Sequence, residues 1–288
     1  MNHPSALARP KWLTKTYRKD PNRALVDSIL GELSLNTVCH EADCPNHLEC
    51  FAQKTATFMI LGTRCTRNCR FCNVTHRAPQ PVEPGEPERV AEAVRRLGLR
   101  YVVITSVTRD DLPDGGSAHF AETIRQIRLA SPGTAVEVLI PDFKGDPEAL
   151  GRVAEAKPAV ISHNMETVRS LYSAVRPQAD YLQSLTLLRR IHALDPGIRS
   201  KTGIMLGLGE TEAEVLELFD HLRAHDCDFL TIGQYLAPSR EHYPVREYPH
   251  PDVFEAYRQK ALAAGFSFVA SAPFVRSSFM AGEALGAL

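Results

Sequence analysis

A parallel α/β sheet rolled into a partial (β/α)6 barrel of TIM type, with an extension at each end, is the fold this sequence predicts. Three observations carry it. Short apolar runs alternate with amphipathic stretches from residue 55 onward. Those runs show little polar–apolar alternation, as strands covered on both faces do. None of the turn signals of an antiparallel hairpin separates them, so successive strands run the same way. A doubly wound open sheet would put a glycine-rich loop after its first strand. Here the first strand runs into cysteines instead, and 288 residues suit a single barrel.

In chain order, residues 55–62, 101–107, 135–140, 159–164, 202–207 and 229–235 read as strands, rich in Val, Ile, Thr and Leu. Between and after them, residues 87–97, 117–129, 147–156, 166–174, 181–194 and 212–225 carry helical periodicity. Ser117 and the Thr211–Glu212 pair supply start signals. Residues 80–87 form a Pro-rich rigid connector. A seventh strand-like run at 266–270 leads into a tail, residues 273–279. The expected organisation is an N-terminal extension (1–54), the barrel (55–270) and a C-terminal tail (271–288).

Apolar residues make up 44% and charged residues 23%, enough for a core and ordinary for a globular chain. A net charge of −1 gives no electrostatic reason to expect a nucleic-acid partner. Residues 1–12 lack the apolar run of a signal peptide, and no stretch reaches membrane-helix length. A cytoplasmic, reducing setting is therefore expected, in which thiols stay free to bind metal.

Six of the seven cysteines fall into two compact triplets. Cys39, Cys44 and Cys50 are spaced C-x4-C-x5-C; Cys65, Cys69 and Cys72 are spaced C-x3-C-x2-C. Thiolates suit iron–sulfur clusters or zinc, and three are one short of a closed four-cysteine site. A cubane held by three cysteines keeps one iron open for another ligand. His76, four residues after Cys72, keeps a zinc site open as an alternative. His40, Asp43 and His47 lie among the first triplet without completing a zinc pattern. Cys227 stands alone and reads as a small buried apolar residue at a helix-to-strand corner.

The C-x3-C-x2-C spacing resembles that of radical S-adenosylmethionine enzymes. Their three cysteines hold a [4Fe–4S] cluster whose free iron binds S-adenosylmethionine, and an aromatic beside the last cysteine, here Phe71, often faces the adenine. The likeness becomes specific in residues 38–46 (VCHEADCPN), 57–62 (TFMILG), 101–107 (YVVITSV), 109–116 (RDDLPDGG), 163–167 (HNMET), 175–177 (VRP), 201–203 (KTG), 206–210 (LGLGE), 231–235 (TIGQY) and 275–278 (VRSS). Over nearly its whole length the chain resembles the lipoyl synthase family.

That resemblance implies two [4Fe–4S] clusters and S-adenosyl-L-methionine as cofactors. Cys65, Cys69 and Cys72 are implied as ligands of the catalytic cluster. Cys39, Cys44 and Cys50, with Ser278 as fourth ligand and Ser277 as fallback, are implied to hold an auxiliary cluster consumed as sulfur donor. Thr105, Ser106, Glu137 and Asn164 at strand ends, with Arg176 and Lys201, are candidates for cofactor or substrate contacts. Arg109, Asp110 and Asp111 fit a structural ion-pair network equally well. The implied reaction is sulfur insertion at C6 and C8 of a protein-bound octanoyl group. Implied partners are octanoylated lipoyl carrier domains (E2 subunits of 2-oxoacid dehydrogenases and the glycine cleavage H protein), a ferredoxin or flavodoxin reductant, and iron–sulfur carrier proteins. The sequence departs from the family at Phe279, usually Tyr, Ala272, usually Gly, and Thr63, often Asp. Two rival readings are a radical enzyme whose second cluster only transfers electrons, and a non-catalytic iron–sulfur or zinc module.

Overall fold

The computed structural model describes residues 7–17, 20–279 and 281–286. Residues 1–6, 18 and 19 of the expected N-terminal extension, and 280, 287 and 288 of the expected tail, lie outside the described residues. The barrel strands are β1 (Thr57–Ile60), β2 (Tyr101–Ser106), β3 (Ala135–Leu139), β4 (Val160–Ser162), β5 (Arg199–Leu206), β6 (Phe229–Gln234) and β7 (Phe268–Ser271). All pair in parallel, each with the next, from Thr57↔Val103 at one end to Phe268↔Phe229 at the other. A two-residue strand, Asn36–Thr37, adds antiparallel to β1. No pairing joins β7 back to β1 among the described residues, so the barrel is open.

Helices α1 (Glu86–Leu97), α2 (Ser117–Ala130), α3 (Pro147–Glu155), α4 (Tyr181–Leu194), α5 (Glu212–Arg223) and α6 (Pro251–Ala263) connect the strands. They close a core through residues such as Ile104, Phe120, Leu188, Phe219 and Phe254, each fully buried. Thr211 caps α5 in a reciprocal capping box with Glu214. At α2 the expected start signal shifts: Ser117 is the first helical residue, and the Asp114 carboxylate accepts from the Gly116 and Ala118 amides. No helix among the described residues is long and apolar enough to cross a membrane.

The seventh strand-like run forms β7, parallel to β6; the helix that feeds it, α6, has no counterpart among the expected helices. One sequence expectation is corrected. Residues 166–174 are not one helix. Glu166 sits at φ 68° in a bridge to Ile204 of β5, so its backbone is spent on the sheet. Only Arg169–Leu171 and Tyr172–Val175 coil, and Pro177 ends the segment.

Candidate active site

The loop after β1 carries the second triplet. The chain leaves β1 through left-handed turns at Leu61 and Gly62, and the Leu61 amide is held by Glu86 at 2.8 Å. Cys65 Sγ accepts the amides of Arg67 (3.4 Å) and Thr108 (3.3 Å). Arg67, only 5% exposed, forks onto two carboxylates: Asp110 at 2.7 and 3.0 Å, and Asp142 at 2.6 and 2.8 Å. These lie on the loops after β2 and β3, so one guanidinium ties the cysteine loop to its two neighbours. On its far side Arg70 bonds Val175 and Tyr243 through the backbone, and a His242 ring nitrogen meets the Cys72 carbonyl at 3.2 Å. Burial pushes the Cys72 thiol up to about 12. Burial also raises Cys69, against the nearby Arg176 guanidinium.

The first triplet lies at the other end of β1. Thr37 pairs with Phe58 and caps the one-turn helix Val38–Glu41 that carries Cys39. Cys39 lies beside Thr57, the first residue of β1. The Cys44 amide donates to the Cys39 carbonyl at 3.0 Å, and Cys50 rides on helix His47–Ala52. The N-terminal helix Pro21–Glu32 holds that helix through Asn22 to Ala52 and Arg23 to Leu48, both 2.8 Å. Burial lifts Cys39 to about 11 and Cys50 to about 12. Four residues of strand, roughly 13 Å at about 3.3 Å per residue, thus separate the two cysteine-bearing ends of β1.

Between them runs a cavity of about 930 Å³, and all six triplet cysteines line it. Residues 274–279 of the tail, including Ser277 and Ser278, form part of its wall. The tail is pressed against β6: the Gln234 amide donates to the Pro273 carbonyl, and a Cβ on Gly233 would fall 2.1 Å from the Val275 oxygen. Ser277 Oγ accepts from Asn164 Nδ2 at 3.1 Å, whereas Ser278 makes no side-chain hydrogen bond among the described residues. Buried side-chain atoms without partners include Ser106 Oγ, Asn164 Oδ1, Arg176 Nε and Gln234 Oε1, all on residues of this cavity. Buried polar groups are seldom left unpaired, so these mark places for a polar ligand. The donor set therefore fits S-adenosylmethionine with a cluster at either end.

Among the described residues no group of three or more His, Cys, Asp or Glu converges tightly enough for a single metal ion. His76 is exposed and off the cavity wall. A cubane takes each of three cysteines on a different iron and leaves a fourth iron open, which matches two triplets on one cavity.

Of the expected contacts, Phe71, Thr105, Ser106, Asn164 and Arg176 line the cavity. Thr105 spends its hydroxyl on the Leu139 carbonyl at 3.0 Å. Arg176 holds the Asn164 carbonyl (2.8 Å) and the Tyr172 hydroxyl (2.6 Å), and keeps Nε free. Glu137 and Lys201 are corrected: neither is on the wall, and Glu137 lies within β3 and not at its end. Lys201 Nζ binds both Glu137 oxygens at 2.8 and 3.0 Å, Tyr101 donates to the same carboxylate, and both charged residues are 1% exposed. They are each other's partners, 64 residues apart. Arg109 pairs with Asp111, and Asp110 with Arg67, as a structural network. Cys227 is fully buried between α5 and β6. Sequence reasoning missed Arg67, Glu166, Gln234 and Arg276. Glu166 stands in the conspicuous run HNMET and lines the cavity near Arg176, with burial raising its carboxyl.

The model of the Radical SAM superfamily matches residues 59–222, more than half of the chain. The methylornithine synthase PylB superposes with TM-score 0.53 at 15% identity, covering 74% of this chain and 69% of that one. Streptococcus suis SuiB bound to S-adenosylmethionine gives TM-score 0.56 at 13% identity, covering 78% and 54%. At such identities the likeness concerns the fold. The chain is a radical S-adenosylmethionine protein. Lipoyl synthase of Alkaliphilus metalliredigens is 56% identical over 96% of both chains, and that of Geobacter metallireducens 57% identical over 97% of this chain and 98% of its own. Within the superfamily, this chain belongs to the lipoyl synthase family.

Proposed function

We infer that this protein is a sulfurtransferase that inserts two sulfur atoms, at C6 and C8, into an octanoyl group carried on a protein, forming the lipoyl cofactor. The observation that carries this is the single cavity with a cysteine triplet at each end of β1 and tail hydroxyls on its wall. When bound, the cluster at Cys65, Cys69 and Cys72 supplies the electron that splits S-adenosylmethionine to a 5′-deoxyadenosyl radical, and the cluster at Cys39, Cys44 and Cys50 supplies sulfur. Ser278, whose hydroxyl is uncommitted among the described residues, is assigned as that second cluster's fourth ligand; Ser277 is held by Asn164. Phe71, Ser106, Asn164 and Arg176 would hold S-adenosylmethionine, and the unpartnered Arg176 Nε would be free to donate to its carboxylate. Met59, Val103, Leu139 and Ile204 give the cavity an apolar lining that suits an alkyl chain and excludes water.

In this reading residues 1–54 form the extension that bears the auxiliary cysteines, 55–270 the barrel and 271–288 the tail. The octanoyl group arrives on lipoyl carrier domains, among them E2 subunits and the glycine cleavage H protein. Ferredoxin or flavodoxin supplies electrons, and iron–sulfur carriers supply clusters. In this reading the protein works in a reducing cytoplasm, which keeps thiols available to bind clusters.

The test is anaerobic reconstitution, then incubation with S-adenosylmethionine, dithionite and an octanoylated lysine peptide. The expected products are 5′-deoxyadenosine and a dithiolated peptide. Release of 5′-deoxyadenosine with no sulfur in the peptide refutes the assignment.

A further inference from the structure

Lys15 is the point where three separate segments meet. Its ammonium binds Asn46 Oδ1 at 2.5 Å and Glu49 Oε2 at 2.6 Å, while lying 4.7 Å from the Phe274 ring centroid and 5.4 Å from that of Phe279. Asn46 is two residues beyond Cys44, and Glu49 directly precedes Cys50. Phe274 and Phe279 bracket Ser277 and Ser278. Asn46, 1% exposed, also donates from Nδ2 to the Phe274 carbonyl at 2.6 Å. One cation on the N-terminal segment thus grips the auxiliary-cysteine loop by hydrogen bonds and the tail by two aromatic faces. The Lys15 side chain is 17% exposed, so its contacts are weakly screened.

We propose that Lys15 is the positioning residue that holds the tail, and with it the Ser278 hydroxyl, against the auxiliary triplet, and so sets how readily that site opens. The proposal rests on reading Cys39, Cys44 and Cys50 as cluster ligands. It gives Phe279 a role as well: the ring face that receives the ammonium is present in Phe as in Tyr, so this departure from the family leaves the grip in place. Nothing else in the described tail ties both flanks of the serines to one group. A methyl thioether in place of the ammonium keeps the length of the stem and loses both the hydrogen bonds and the attraction to the rings.

The experiment uses reconstituted holoenzyme with Lys15→Met and Lys15→Arg, under anaerobic conditions. Iron release to the chelator ferrozine is timed, and hydrogen exchange of residues 272–279 is followed in holo and metal-free protein. The expected result for Lys15→Met is that one half of the iron leaves about tenfold faster while the other half keeps the wild-type rate. Tail exchange rises in both forms, and Lys15→Arg restores both readouts. The proposal is overturned if both halves accelerate alike, if Lys15→Met matches wild type, or if Arg does not rescue. Should Lys15→Met fail to fold, Phe279→Leu replaces it, and an unchanged release rate there overturns the proposal too. Failure of the two-cluster reading looks different: wild-type holoenzyme then has one iron pool, while tail exchange in metal-free Lys15→Met still reports the grip.

Discussion

The two cysteine triplets are built into different kinds of structure. The catalytic one sits on a loop of the barrel itself, pinned by Arg67 to the next two strand–helix loops and by Thr66 to Thr108 through two 3.0 Å hydrogen bonds. The auxiliary one hangs from the edge strand Asn36–Thr37 and is held by the N-terminal segment, the helix Pro21–Glu32 and the tail. A cluster that is to survive each turnover belongs in the part whose opening requires breaking the fold. A cluster that is to be taken apart belongs where straps can part without disturbing the sheet.

The sharpest way to break this comparison is to remove one ligand from each site. Cys65→Ala is expected to lose 5′-deoxyadenosine formation to background. Cys44→Ala is expected to keep it and lose sulfur transfer to background. Chromatographic assay of both products decides, and full activity in Cys44→Ala would end the distinction.

Next in size is the Arg67 clamp. Arg67→Met leaves Asp142, buried without its partner, in the interior. The expected cost is about 3–5 kcal/mol in denaturant unfolding of metal-free protein. A cost below about 1 kcal/mol would show that the catalytic loop is held no more firmly than a strap.

A pH effect of similar origin comes from His163, packed beneath the same loops and bonded to the Ile140 carbonyl and Ser184. Burial, reinforced by Arg176, holds its imidazole down to about 4, against 6.5 in an open chain. The unfolded chain therefore takes up this proton first. The contribution is complete above about pH 6.5 and lost as pH falls through about 4, a change of about 3 kcal/mol. Unfolding of metal-free protein from pH 7 to 4 should show it, and His163→Gln should show a flatter dependence.

The Glu137–Lys201 pair sharpens the account of the cavity. Replacing both by methionine is expected to leave S-adenosylmethionine affinity within about twofold, with stability changed by about 1–2 kcal/mol in either direction. A tenfold loss of affinity by calorimetry would return the pair to the cofactor site. The smallest expected effect is Cys227→Ala: about 1 kcal/mol of stability, with iron content unchanged.

The sequence made the sheet legible because strands covered on both faces need continuous Val, Ile and Leu, and it made the two cysteine triplets legible because thiol spacing is local. What it hid was non-local or short. Glu137 and Lys201 looked like isolated polar residues because their partnership exists only once β3 and β5 lie in one barrel. Residues 166–174 kept a helical pattern, yet the bridge from Glu166 to β5 outweighs that propensity. Lys15 and Arg67 carry no motif of their own; their roles come from partners 31 or more positions away, in the case of Lys15 as far as the tail.

The central claim is tested most directly by Mössbauer counting of clusters before and after one anaerobic turnover with octanoylated peptide. The account predicts about eight irons per chain at the start, and afterwards one intact cluster together with iron from the other released. Dithiolated product formed while both clusters remain whole would contradict it.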